Sequence, residues 1–157
     1  MKINLTPELA YLIGLWSKRR SDNGIGIQGN PRLCEIFLKQ ILELKLVPPE
    51  KIKLGVDDKI FFYHSAYEKF FQKVQRESLE IFREKNDKAA AYIAGVFDAM
   101  GGTELVKGKK LCYLANATLN DEMILSRLNF HIIKHNKKLF VLGDDFRFFI
   151  GKFQKYP

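Results

Sequence analysis

Cysteine is scarce in this chain, with only Cys34 and Cys112 among 157 residues. Neither has a cysteine neighbour at metal-ligand or redox spacing, which excludes a zinc ribbon or a thioredoxin-type motif and predicts two buried, reduced thiols. Long apolar runs are absent as well. The segment Met1-Lys2-Ile3-Asn4-Leu5-Thr6-Pro7 has no signal-peptide core and no stretch reaches membrane-spanning length, so a cytoplasmic chain with no membrane partner is expected. No glycine-rich phosphate loop is present. Gly101-Gly102 follows an apolar helical segment without a GxGxxG or Walker pattern, and reads as a helix C-cap and turn.

The apolar share is 46%, with thirteen Phe, enough for one buried core. Lys and Arg number 26 against 18 Asp and Glu, a net charge of +8 that favours a polyanionic partner. Residues 1–88 hold 16 basic and 12 acidic side chains and residues 89–157 hold 10 and 6, so each half carries the same excess. A surface built by both halves would have this distribution.

Local signals divide the chain finely. Thr6-Pro7-Glu8 and Asn30-Pro31 each place a capping side chain before a proline at the first helical position. Between them Gly24 to Gln28 alternates as a strand. Lys51 to Val56 and Lys59 to His64 alternate around Asp57-Asp58, a β-hairpin pattern that puts Lys51 and Lys53 on one face. Ser65-x-x-Glu68 reads as a capping box opening a helix to about Lys85, with Lys73/Glu77 and Arg76/Glu80 paired on its solvated side. The remainder predicts a helix to Met100, strands Thr103 to Lys107 and Lys110 to Asn116, a helix from Asn120, strands near 130–134 and 138–142, and a last helix capped by Asp144.

Two stretches are versions of one motif, 81 residues apart: Tyr11-Leu12-Ile13-Gly14-Leu15-Trp16-Ser17-Lys18-Arg19-Arg20 and Tyr92-Ile93-Ala94-Gly95-Val96-Phe97-Asp98-Ala99-Met100-Gly101. Lys59-Ile60-Phe61-Phe62 likewise sits over Lys138-Leu139-Phe140-Val141 at an offset of 79. The chain therefore reads as one domain over 1–157 made by duplication, with repeat one at about 1–88 and repeat two at about 89–157. Both motif copies resemble the nine-residue signature of the LAGLIDADG homing endonucleases.

That resemblance implies an α+β fold of two pseudo-symmetric αββαββα-like repeats, with motif helices packed at a pseudo-two-fold axis and an antiparallel β-saddle that binds nucleic acid. Gly14, Ala94 and Gly95 are then the small residues at the helix interface. Repeat one lacks an early strand, which narrows its side of the saddle. In the family the eighth motif residue is an acidic metal ligand, and here that position holds Arg19 and Met100, neither of which ligates a hard cation. On this ground the expectation is a non-enzymatic binder with no catalytic residue, no metal and no cofactor.

Binding candidates follow from charge and placement. Arg19, with Lys18 and Arg20, ends the first motif helix, where a guanidinium can grip a phosphate through two N–H bonds or simply complement the helix dipole. Lys51 and Lys53 lie in a hairpin strand. Lys107, Lys109 and Lys110 surround one hairpin tip and Lys134, Lys137 and Lys138 another, suited to phosphate contact and also to protecting strand edges. His131 and His135 fall in a strand and turn with no third ligand nearby, which argues against a metal. The sequence thus points to a monomer that binds DNA or structured RNA as a regulatory or maturation factor. Alternatives are an RNA-maturation protein, a nuclease with a rearranged site using Asp98 with Glu104 or Asp22, and a protein-protein adaptor.

Overall fold

The computed structural model describes residues 2–156. Both proline-marked starts are used as helix starts. Thr6 accepts the Leu9 N–H and opens α1 (Pro7–Arg19); after strand β1 (Ile25–Gln28), Asn30 accepts the Leu33 N–H and opens α2 (Pro31–Leu44). A hairpin of β2 (Lys53–Gly55) and β3 (Lys59–Phe62) leads to α3 (Ser65–Arg76) and the short α4 (Ser78–Ile81). The second half runs α5 (Asp87–Met100), β4 (Gly101–Val106), β5 (Lys109–Ala115), α6 (Leu119–Arg127), β6 (His131–His135), β7 (Lys138–Leu142) and α7 (Asp145–Gly151). The strands form two antiparallel sheets, ordered β1-β3-β2 and β4-β5-β7-β6.

The motif helices α1 and α5 form the centre. A Cβ on Gly14 would collide with the Tyr92 carbonyl oxygen, and one on Gly95 would collide with the Tyr11 carbonyl oxygen and lie 2.8 Å from the Leu15 nitrogen. The two backbones touch where neither residue has a side chain to separate them. Ala94 is fully buried beside them. The same contacts recur across the axis at an offset of 81. Tyr11 donates its hydroxyl to Asp98 at 2.6 Å, while Tyr92, the residue 81 further on, has its hydroxyl against Ser17, which stands 81 before Asp98. Trp16 meets Phe71 of α3 edge to face, and Phe97 meets Phe146 of α7 in the same way.

Where the second half has the strand β4, the first half has a single bridge. Arg20 pairs with Ile27 alone, where its counterpart Gly101 begins the six-residue strand β4. Asp22 and Gly24 turn the chain away immediately, so the first sheet has three strands and the second has four.

Several local expectations are corrected. Lys51 lies in a 3-10 turn, Pro49–Lys51, made by the Pro48-Pro49 pair, so it does not share a strand face with Lys53. His64 rather than Ser65 caps α3, its Nδ1 accepting the Tyr67 N–H, and the expected capping box does not form. The long helix breaks at Glu77, which removes the Lys73/Glu77 and Arg76/Glu80 pairs; Glu80 meets Arg83 and Arg127 instead. Gly101 ends α5 but, with Gly102, continues directly as strand rather than turn. Asp144 precedes α7 without a side-chain capping bond. Cys112 is buried, whereas Cys34 is only partly so.

Candidate nucleic-acid interface

Each sheet has one face on the helices and one open to solvent, and the register assigns every strand residue to one of them. In the first sheet Ile25, Ile27, Ile60 and Phe62 face the helices, leaving Gly26, Gln28, Lys53, Lys59 and Phe61 on the open face. In the second sheet Cys112, Leu114, Leu139 and Val141 point inward. Its open face carries Glu104, Lys109, Leu111, Tyr113, Lys138, Phe140, His131, Ile133 and His135.

This arrangement separates the lysine candidates. Lys53, Lys109 and Lys138 lie on open faces, while Lys107 and Lys137 sit at hairpin tips with positive φ. Lys110 pairs with Leu105 on the helix side of its strand, and Lys134 also turns to the helix side, 3.6 Å from Glu122 of α6. Those two are removed from the open face by the strand's alternation. The open faces are accordingly apolar, aromatic and amide-bearing in the middle and cationic mainly at their rims, a departure from a uniformly basic saddle.

Lys59 was missed from the sequence although it aligns with Lys138, which gave the available signal. The two play matching roles: Lys59 is bonded to Asp22 and Asn23, and Lys138 is bonded to Glu104 at 3.0 Å while lying over the Tyr113 ring. The Lys59 bond holds the Asp22 carboxyl below its ordinary range, and the Glu104 bond raises Lys138.

At the end of α1 the three cations have different fates. Lys18 is spent on Asp121 at 2.7 Å, with side-chain exposures of only 14% and 5%. Asp121 also completes the Thr118 capping box of α6, so this ion pair joins α1 to α6 and leaves Lys18 unsuited to phosphate contact. Arg20 lies over Trp16, 4.0 Å from the ring centroid. Arg19 donates Nε to the Ala99 carbonyl at the end of α5 at 2.8 Å. That bond orients the guanidinium across the axis and satisfies a terminal helix carbonyl. A cleft of about 740 Å³ opens there, lined among others by Arg19, Asn30, Met100, Tyr113, Asn116 and Thr118.

Asp98 is the buried carboxylate of this region. Its Oδ2 accepts from the Tyr11 hydroxyl and from the Lys155 and Tyr156 N–H groups, while Oδ1 is buried with no partner in hydrogen-bonding geometry. Burial raises its pKa, and the Tyr11 and backbone bonds oppose that rise. Tyr92 is pushed up to about 12, mainly by burial.

Arg19 and Met100 supply no carboxylate at the two helix ends. Asp22 and Glu104 are engaged by Lys59 and Lys138, and Asp98 by Tyr11 and the C-terminal backbone. Among the described residues no three His, Cys, Asp or Glu side chains come together as a metal site would. A divalent cation does not fit the donor set of the described residues in this arrangement.

The chain matches no family profile. No curated protein matches it either. Solved structures do match: I-DmoI in complex with DNA and calcium, at 16% identity and a TM-score of 0.65, over 99% of this chain and 95% of that one. Mesophilic variants of the homing endonuclease I-DmoI match at 19% identity and 0.62, over 97% and 98%. The chain thus has the α+β fold of a single-chain LAGLIDADG homing endonuclease. This result corrects the expectation of a non-enzyme: proteins sharing the fold along nearly their whole length are a DNA endonuclease, and residues differing at two motif positions do not show that cutting is lost.

Proposed function

We propose that this chain binds duplex DNA as a monomer, laying the open faces of its two sheets along the double helix with the motif helices beneath the centre. The observation that carries this reading is the pair of open antiparallel faces flanking α1 and α5, with apolar and amide side chains inside and lysines at the rims. Phosphates lie along the outside of a groove and base edges within it, so Lys53, Lys107, Lys109, Lys137 and Lys138 position the duplex. Gln28, Phe61, Tyr113 and Ile133 meet base edges and thymine methyls. The complex of I-DmoI with DNA supports duplex DNA over RNA as the ligand.

Arg19 is the central cation of this surface. Its Nε is held by Ala99, which leaves the outer guanidinium nitrogens for a phosphate facing the axis. Arg19→Ala is expected to weaken duplex binding roughly tenfold or more and to lower the salt slope by about one. An unchanged affinity would return Arg19 to a purely helix-capping role.

Fluorescence anisotropy with duplex DNA and structured RNA, at several salt concentrations and with or without magnesium, tests the reading. Preferential duplex binding with a steep salt slope is expected. Inspection of the probes afterwards reads cleavage directly. Preference for RNA, or binding to neither, would contradict the proposal.

A further inference from the structure

The second sheet has one strand more than the first, and the helix layer does not widen to cover it. On β4 the residues turned toward the helices are Gly101, Thr103 and Leu105, opposite Leu114, Cys112 and Lys110. Thr103 and Leu105 are nevertheless exposed, Leu105 at 72%. Beside them α7 presents Phe148, the most exposed large apolar residue of the described chain at 84%.

Between this overhanging strand and α7 runs a groove. One part, of about 600 Å³, is lined by Phe97, Thr103, Cys112, Arg147 and Phe148. The adjoining part, of about 760 Å³, shares Cys112 and Arg147 and continues along Lys110 to the hairpin tip at Lys107. Its rim charge comes from Lys107, Lys109, Lys110 and Arg147 against Asp144. Lys110 and Arg147 line the groove together with Cys112, whose thiol is raised by burial. Thr103, Leu105 and Lys110 project from the helix side of the sheet, away from the open face assigned to DNA.

We propose that this groove docks an acidic, apolar peptide segment of a partner protein. Large side chains of the segment fill the floor between Thr103 and Phe148, and its carboxylates meet Arg147 and Lys110. Apolar anchors flanked by charge complementarity give such a surface both affinity and choice of partner. The floor of the site lies on the helix side of the sheet, and its rim shares Lys107 and Lys109 with the duplex-binding face.

The test is a random 12-residue peptide display library panned against the full chain, with binders then titrated as fluorescent synthetic peptides. Expected are peptides with bulky apolar residues flanked by Asp or Glu. Their affinity should fall tenfold or more in Arg147→Glu and Phe148→Asp, while thermal unfolding and duplex affinity of those variants stay unchanged. Selected peptides without acidic residues, or with affinities that neither variant alters, would overturn the proposal. So would self-association in sedimentation velocity that Phe148→Asp abolishes, because the occupant would then be a second copy of the chain.

Discussion

Gly14→Val and Gly95→Val are each expected to cost about 3 kcal/mol or more, enough to unfold much of the protein under ordinary conditions. The cause is specific. A Cβ at either position falls on a backbone carbonyl oxygen of the other motif helix, Tyr92 for Gly14 and Tyr11 for Gly95. No rotamer change relieves contact with backbone, so α1 and α5 must move apart, and the seam between the two halves opens. The neighbouring contacts between Tyr11 and Asp98 and between Tyr92 and Ser17 stretch with it. Urea unfolding followed by Trp16, the single tryptophan and a buried one, reads the change. Gly151→Ala is the control, since a Cβ there meets nothing within 4 Å. Equal midpoints for all three variants would mean that the helices do not pack this closely.

Asp98→Ala should be comparably damaging, at about 3–5 kcal/mol. It strands the Tyr11 hydroxyl and the Lys155 and Tyr156 N–H groups together, disconnecting α1 and the C-terminal segment from α5 in one step. Asp98→Asn keeps an oxygen for those donors but places an amide where the unpartnered Oδ1 lies, for a smaller cost of about 1–2 kcal/mol. The two variants also differ from wild type with pH. Because the Asp98 pKa is raised in the fold above its ordinary value of 3.8, the folded state holds this proton more tightly than the unfolded chain does. Its contribution to stability is fully present below 3.8 and is lost as pH rises through the raised value. Asp98→Asn lacks that slope, so wild type and variant should diverge across this acid window in thermal melts. Parallel profiles would show that Asp98 titrates normally.

What the sequence revealed was mostly what is local. Thr6-Pro7 and Asn30-Pro31 set their own helix starts, because cap and proline act within one turn. The 81-residue spacing of the two motif copies was legible because Tyr11 and Gly14 recur as Tyr92 and Gly95. The His64 cap was not legible, since His64 and Ser65 can both accept an N–H and the end of β3 decides between them. Lys18 could not be separated from Arg19 by sequence, because its partner Asp121 is 103 residues away. Lys109 and Lys110 looked like one cluster, yet adjacent residues of a strand face opposite ways, and only register says which way each points. The inference against catalysis rested on two side chains, whereas the fold is a property of the entire chain.

The assignment of the open sheet faces to DNA is tested most directly by lysine footprinting, with acetylation and mass spectrometry on the chain alone and with saturating duplex. Lys53, Lys109 and Lys138 should be protected by duplex, while Lys134 on the helix side and Lys73 on α3 should react equally in both states. Protection of Lys134 and Lys73 with Lys53, Lys109 and Lys138 still reactive would place the duplex on the opposite side of the molecule and contradict the account.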